Sequence, residues 1–207
     1  MPKQTTNLKH LPEVAGVDEV GRGCLAGPVI AAAVILPDYF PLEGINDSKK
    51  MKPYMREELS NCIKQSSIWA LGYQCHEEID EINILQASLK AMAIAVQRLD
   101  HIPLEVFVDG IHTPPAIQDY FKIETVIKGD SKFTCIAAAS IIAKVERDKV
   151  MRDYSIEYPE YGFENHFGYA TQEHLEAIKK YGPCPIHRKT FSPIKEIVNQ
   201  PCLLFNS

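Results

Sequence analysis

Two apolar stretches near the start of the chain set the expected architecture. Val14 to Val20 ends at Gly21, and Pro28 to Leu36 runs almost unbroken until Pro37 closes it. Runs of this length bounded by glycine and proline read as strands, and the glycine-rich segment Gly21 to Gly27 reads as the turn between them. A polar helix is expected from about Pro53 to Lys64, followed by a third strand over Ser67 to Cys75. From Glu77 to Leu99 the apolar residues Ile79, Ile82, Leu85, Leu89, Met92, Val96 and Leu99 recur at helical spacing, giving one or two helices with an apolar face. Leu104 to Val108 and Ile123 to Ile127 are short β-rich runs, with a short helix expected around Pro115 to Tyr120 between them. The longest helical pattern, Phe133 to Tyr154, opens with an alanine-rich half suited to close packing on a sheet. Beyond Pro159 the chain turns rich in glycine, proline and histidine, with one more helix at about Gln172 to Tyr181. Strands that come first and then alternate with helices imply an α/β class with a mixed sheet.

Composition narrows this picture. With 207 residues and 45% hydrophobic content the chain can bury one sizeable core, so a single domain over residues 1–207 is expected. A formal net charge of −5 excludes a global basic field, so any binding of nucleic acid must rest on local patches. The six cysteines include no close pair of the zinc or redox type and read as free thiols. No signal peptide or membrane-length apolar run is present, which points to a soluble, cytoplasmic protein.

The chemistry suggested by the chain is that of carboxylates. Asp18 and Glu19 stand at the end of the first strand, where a regular strand would point them to opposite faces. A strand end or bulge would be needed for Glu19 to join Asp18. Asp109 closes the run Val-Phe-Val before Gly110, at the carboxyl end of a strand, where ligand sites of α/β sheets gather. Asp130 follows Lys128 and Gly129 just before the long helix. A turn aspartate and a helix N-cap are the plain alternatives for these two. Taken together, four carboxylates at element ends suit hard divalent cations such as Mg²⁺ or Mn²⁺ and the phosphoryl chemistry that needs them.

The residues also resemble a known family. Gly16-Val17-Asp18-Glu19-Val20-Gly21-Arg22-Gly23 with Leu25-Ala26-Gly27-Pro28 resembles the opening motif of ribonuclease HII, and the likeness continues through Asn46 to Lys50, Val108-Asp109-Gly110, Lys128-Gly129-Asp130, Ile136 to Val145, Arg147-Asp148, Gly182-Pro183 and His187-Arg188. The sister ribonuclease HIII resembles the chain less. The resemblance implies a ribonuclease H-like fold, a five-stranded mixed sheet flanked by helices, with a core over about 14–155. A helical, substrate-contacting C-terminal part would follow over about 156–198, and a tail over 199–207.

It further implies that Asp18, Glu19, Asp109 and Asp130 hold two Mn²⁺ or Mg²⁺ ions during catalysis. Gly21, Arg22 and Gly23 would present main-chain groups to a ribonucleotide 2′-hydroxyl, and Tyr169 would read the RNA–DNA junction with them. Ser48, Lys49, Lys50, His187 and Arg188 would contact the duplex, with Lys128, Lys132, Lys144, Arg147 and Lys189 as further local cations. For Tyr169 a core or stacking role is the alternative, for Gly21 to Gly23 a plain tight turn, and for the cations surface solvation. The expected substrates are RNA/DNA hybrids and DNA duplexes containing ribonucleotides, cleaved by a monomer. Cys24, Phe167 and Ala170 depart from the residues usual in the family. In the tail, Gln200, Leu203 and Phe205 loosely resemble peptides that dock on sliding clamps; leucines packed on the domain are the alternative.

Overall fold

The computed structural model describes residues 8–40, 45 and 52–199. Strand β2 (Val29–Ile35) is buried at all seven positions, because both of its faces are covered. It pairs antiparallel with β1 (Val14–Val20) on one side and with β3 (Ile68–Gln74) on the other. β1 in turn pairs in parallel with β4 (Glu105–Asp109), and β4 with β5 (Ile123–Val126). The result is a five-stranded mixed sheet in the order β3-β2-β1-β4-β5.

Alternation along the strands assigns the two faces. Ala15, Val17, Val29, Ala31, Ala33, Val106 and Val108 pack with Ala87, Leu89, Ala91, Met92 and Val96 of helix α2 (His76–Gln97). Ala32 and Val34 pack on the other face with Ala137 to Ala139 and Ile141 to Ala143 of helix α3 (Thr134–Glu157) and with Ile63 of α1 (Pro53–Ser66). The alanines let α3 lie against the sheet backbone: a Cβ added at Gly16 of β1 would fall 2.1 Å from the Cys135 carbonyl carbon. α2 is two helices joined at Asn83, which adopts φ 67° and accepts the N–H groups of Leu85 and Gln86 on its Oδ1 at 3.0 and 3.1 Å. The Asn83 side chain thereby caps the second half.

The expected strands and long helices are present, with ends shifted by a few residues. Residues 115–117 form only a single 3₁₀ turn. Two short helices, α4 (Phe163–His166) and α6 (Ile194–Asn199), were not anticipated because neither is long enough to show a period. With α5 (Gln172–Tyr181) they enclose a third apolar cluster. In it Tyr161, Phe163, Ile178, Ile186 and Ile194 meet Met151 of α3 and Leu25 and Ala26 of the β1–β2 turn. Backbone bonds weld this cap to that turn: Leu25 N–H to Gly168 O at 2.8 Å, Gly27 N–H to Ile186 O at 2.9 Å and Arg188 N–H to Leu25 O at 2.8 Å. The five described cysteines are free thiols. Among the described residues no helix is long and apolar enough to cross a membrane.

Candidate active site

The carboxyl ends of β1 and β4 diverge. Their ladder stops at Val17 opposite Val108, and Asp109 pairs instead with Val126 of β5. A cleft of about 380 Å³ opens there, lined by Asp18, Glu19, Asp109 and Asp130 together with Arg56, Ser140, Lys144 and Tyr169. Asp18 lies on the α3 side of β1, two residues beyond Gly16, whereas Glu19 follows Val17 on the α2 side. No bulge brings them together, since the β1–β2 register runs unbroken from Ala15 to Val20. Glu19 instead stands at the carboxyl end of β1, lining both this cleft and a smaller one of about 210 Å³ on the α2 side.

Local bonds hold each acid. Asp18 is 7% exposed, and its Oδ1 accepts the Glu19 N–H at 2.7 Å. Burial raises its carboxyl well above the ordinary range, the charges of Glu19 and Asp109 push the same way, and the Ser140 hydroxyl opposes them. Glu19 is raised too, again first by burial, with Arg22 opposing. The Arg22 guanidinium donates to Glu19 Oε1 at 3.1 Å. Asp109 Oδ1 accepts the Gly129 N–H at 2.6 Å, so the end of β4 fixes the turn that carries Asp130. That turn is a 3₁₀ segment, residues 129–131, entered through Lys128 at φ 54°. Asp130 does not cap α3: the N-cap is Phe133, and no side chain makes a capping bond there.

A family model, ribonuclease HII, matches residues 15–194. The chain belongs to the ribonuclease HII family. It is 50% identical over 188 residues to the ribonuclease HII of Endomicrobium trichonymphae, covering 90% of this chain and 89% of that one. The crystal structure of ribonuclease H2 from Pyrococcus horikoshii OT3 superposes with a TM-score of 0.75 at 28% identity, covering 89% of this chain and 96% of the other. The ribonuclease HII in the PCNA:RNase HII complex from Archaeoglobus fulgidus gives 0.75 at 27% identity, covering 86% and 94%. The mixed sheet with flanking helices is thus the ribonuclease H-like fold, and the chain is a ribonuclease H, a hydrolase.

Several of the expected surface contacts are buried. His187 and Arg188 are 1% and 0% exposed, so they form no basic surface cluster. The Arg188 guanidinium donates to the carbonyls of Gly21 at 2.7 Å, Arg22 at 2.9 Å, and Gly27 at 3.1 and 2.9 Å, gathering the whole β1–β2 turn around one cation. Arg147, also fully buried, donates to Pro28 O at 2.9 Å, Ala26 O at 3.0 Å and Phe167 O at 2.8 Å. It therefore ties the turn to the segment bearing Tyr169 and does not serve as a free counter-charge. Gly21, at φ 99°, leaves room for that arginine, since an added Cβ would lie 2.3 Å from Arg147 Nε. Gly23 has nothing within 4 Å of where a Cβ would stand.

Tyr169, 40% exposed, does reach the cleft. Its phenol is raised by burial and by the neighbouring Cys24 thiol, which is itself fully buried. Lys144 pairs with Asp148 at 2.6 Å and sits 4.8 Å from the Phe167 ring centroid, so Phe167 backs a cation of the cleft. Arg56 and Ser140 line the cleft and were not foreseen. Ser140 alone carried a signal, as the one polar residue in an alanine run facing a sheet. Ser48, Lys49 and Lys50 lie outside the described residues, as do Gln200, Leu203 and Phe205.

Proposed function

We propose that the cleft hydrolyses the RNA strand of RNA/DNA hybrids and also cuts 5′ to a single ribonucleotide embedded in duplex DNA, leaving 5′-phosphate and 3′-hydroxyl ends. Family membership supports the first activity. The observation that carries the finer reading is the convergence of Asp18, Glu19, Asp109, Asp130 and Tyr169 on one cleft beside the Gly21–Gly23 turn.

The donor set fits divalent cations. Asp18 and Glu19 are both held above the usual carboxylate range, by burial and by neighbouring negative charge that a cation would relieve. Among the described residues no three acidic, histidine or cysteine side chains form a ready-made cage. An open acidic cleft suits Mn²⁺ or Mg²⁺, which keep part of their water shell. When bound by Asp18, Glu19, Asp109 and Asp130, two such ions would supply an activated water and charge for the departing 3′-oxygen.

The chain itself positions the reactants. Arg22 keeps Glu19 at the lip, Ser140 and the Glu19 N–H orient Asp18, and Asp109 anchors the turn of Asp130. Lys144 and Arg56 place positive charge on the cleft wall for the phosphate backbone. The turn at Gly21, Arg22 and Gly23 meets the 2′-hydroxyl, and the Tyr169 ring packs on the sugar beyond it. With an acidic chain offset only by local cations, binding should be salt-sensitive and not especially tight. A cytoplasmic monomer belongs to the same reading.

The test uses three probes with Mg²⁺ and with Mn²⁺: a duplex carrying one ribonucleotide, an all-RNA hybrid, and a nucleoside monophosphate. Cleavage of the first two and not the third is expected. Asp109→Asn, which keeps an acceptor for Gly129, and Asp130→Asn should abolish cleavage while retaining a cooperative melt. Full residual activity in either overturns the site assignment. A sliding-clamp contact through Gln200, Leu203 and Phe205 gains support from the solved archaeal complex. It predicts that Leu203→Ala with Phe205→Ala loses retention on an immobilised clamp without loss of cleavage.

A further inference from the structure

The cap holds a hydrogen-bond chain whose direction is set by the backbone at both ends. The Cys184 N–H, which can only donate, meets His187 Nδ1 at 2.9 Å, so that nitrogen carries a lone pair. The Cys184 carbonyl is farther from it, at 3.2 Å. His187 must then be protonated on Nε2, which lies 3.0 Å from His174 Nε2. At the other end the Tyr169 carbonyl, which can only accept, lies 2.9 Å from His174 Nδ1, so His174 carries its proton there and offers a lone pair at Nε2. Every link agrees: Cys184 N–H to His187, His187 to His174, His174 to Tyr169 O. Both imidazoles are buried, at 0% and 1% exposure, and His174 stacks on His166 at 4.4 Å between centroids.

We propose that His187 and His174 form a directed relay that fixes the Tyr169 backbone over the cleft, making His174 a positioning residue for ribonucleotide recognition. The proposal rests on the reading of Tyr169 given above. The Tyr169 N–H is bonded to His166 O at 2.9 Å and its carbonyl also accepts the Thr171 N–H at 2.8 Å. Arg147, by contrast, secures the preceding Phe167 carbonyl. The relay therefore adds a side-chain bond to the carbonyl of Tyr169, the residue whose ring enters the cleft. Its other end rests on Cys184, whose thiol is pushed up to about 12 by burial and so stays protonated.

Amide isosteres separate the relay from mere packing. Asparagine places its amide nitrogen near the Nδ1 position of histidine and glutamine near the Nε2 position. His174→Asn should keep the bond to Tyr169, and His174→Gln should lose it. At His187 the order reverses, because glutamine keeps the donor toward His174 and asparagine does not. The readout is the ratio of kcat/KM for a single-ribonucleotide duplex over an all-RNA hybrid, with the melting temperature measured alongside. His174→Gln and His187→Asn are expected to lower the ratio about tenfold through kcat, with His174→Asn and His187→Gln near wild type although all four melt earlier. In a Tyr169→Ala background, His174→Gln should cost nothing further. If Tyr169→Ala leaves the ratio unchanged, the reading of Tyr169 fails and the relay with it. If Tyr169→Ala lowers the ratio while the isosteres do not sort in this crossed order, or add independently, the relay alone is overturned. Should His174→Gln fail to fold, the His187 pair carries the same comparison.

Discussion

The cleft and the cap solve opposite versions of one problem. In both, ionisable groups sit where water is excluded, and burial disfavours their charged forms. In the cap each such group has its polar atoms answered: Arg188 and Arg147 by turn carbonyls, His187 and His174 by each other and by backbone. In the cleft Asp18 is raised by burial, Glu19 and Asp109, and Glu19 by burial and Asp109, with Arg22, Ser140 and the Glu19 N–H opposing. A satisfied polar interior makes a scaffold. An under-compensated one makes a site that gains most when cations arrive. The contrast also explains why cations that read as substrate contacts became structure, while the acids line the cleft.

The largest expected effect comes from the scaffold side. Arg188→Met removes the shared donor of Gly21, Arg22 and Gly27 and leaves buried carbonyls unanswered. Buried hydrogen bonds to a charged group are worth roughly 1.5–3 kcal/mol each and are not additive, so a loss of about 3–5 kcal/mol is expected in urea unfolding. Cleavage should fall with it, because the turn loses its shape. A variant that melts like wild type would mean that the β1–β2 turn is held by its own backbone, and the contrast would lose its structural half.

Acid should separate the two regions by sign. His174 and His187 are both lowered to about 4 by burial. Unfolded, they bind protons near 6.5, so their contribution is fully present above that pH and is lost as pH falls toward 4. One imidazole accounts for on the order of 3 kcal/mol at about 1.4 kcal/mol per unit, and the bonded pair for less than twice that. Asp18, raised by burial, contributes the other way: its share is present below the unfolded carboxylate pKa and is lost as pH rises through the folded one. Unfolding free energy from pH 7.5 to 4.5, without divalent ions, should therefore drop for wild type, and more steeply for Asp18→Asn. At pH 7.5 Asp18→Asn should itself be more stable, by about 1 kcal/mol, and inactive. An Asp18→Asn that is less stable there would show the carboxylate already paid for by its neighbours.

The sheet was legible because its signal is local. The runs Val14 to Val20 and Pro28 to Leu36, and the alanines of α3, carry their burial in their own composition. The four acids were legible as residues at element ends, though not how Glu19 reaches the cleft, which depends on where the β1–β4 ladder stops. Arg188, Arg147 and His187 were misread because a charged residue read alone belongs at the surface. What buries Arg188 is a set of carbonyls some 160 positions away in sequence. Asp130 reads as a possible cap because it precedes a helix, but it sits inside a 3₁₀ turn that ends before the Phe133 N-cap. Arg56 gave no signal, since α1 reaches the cleft only through tertiary packing.

The smallest stability effect is expected within the same turn and sharpens the comparison most. Gly21 and Gly23 flank Arg22, yet only Gly21 is required by the chain itself: its φ is 99°, and a Cβ would strike Arg147. Gly21→Ala should therefore lose both stability and cleavage. Gly23 faces open space, so Gly23→Ala should melt at or slightly above the wild-type temperature, by up to about 1 kcal/mol through a less flexible unfolded chain. If that space is where the ribonucleotide backbone approaches, the added methyl should raise KM for the single-ribonucleotide duplex while the melt stays unchanged. A Gly23→Ala enzyme with wild-type KM would place the approach elsewhere, leaving Gly21 alone, a residue of the scaffold, as the reason for glycine in the turn.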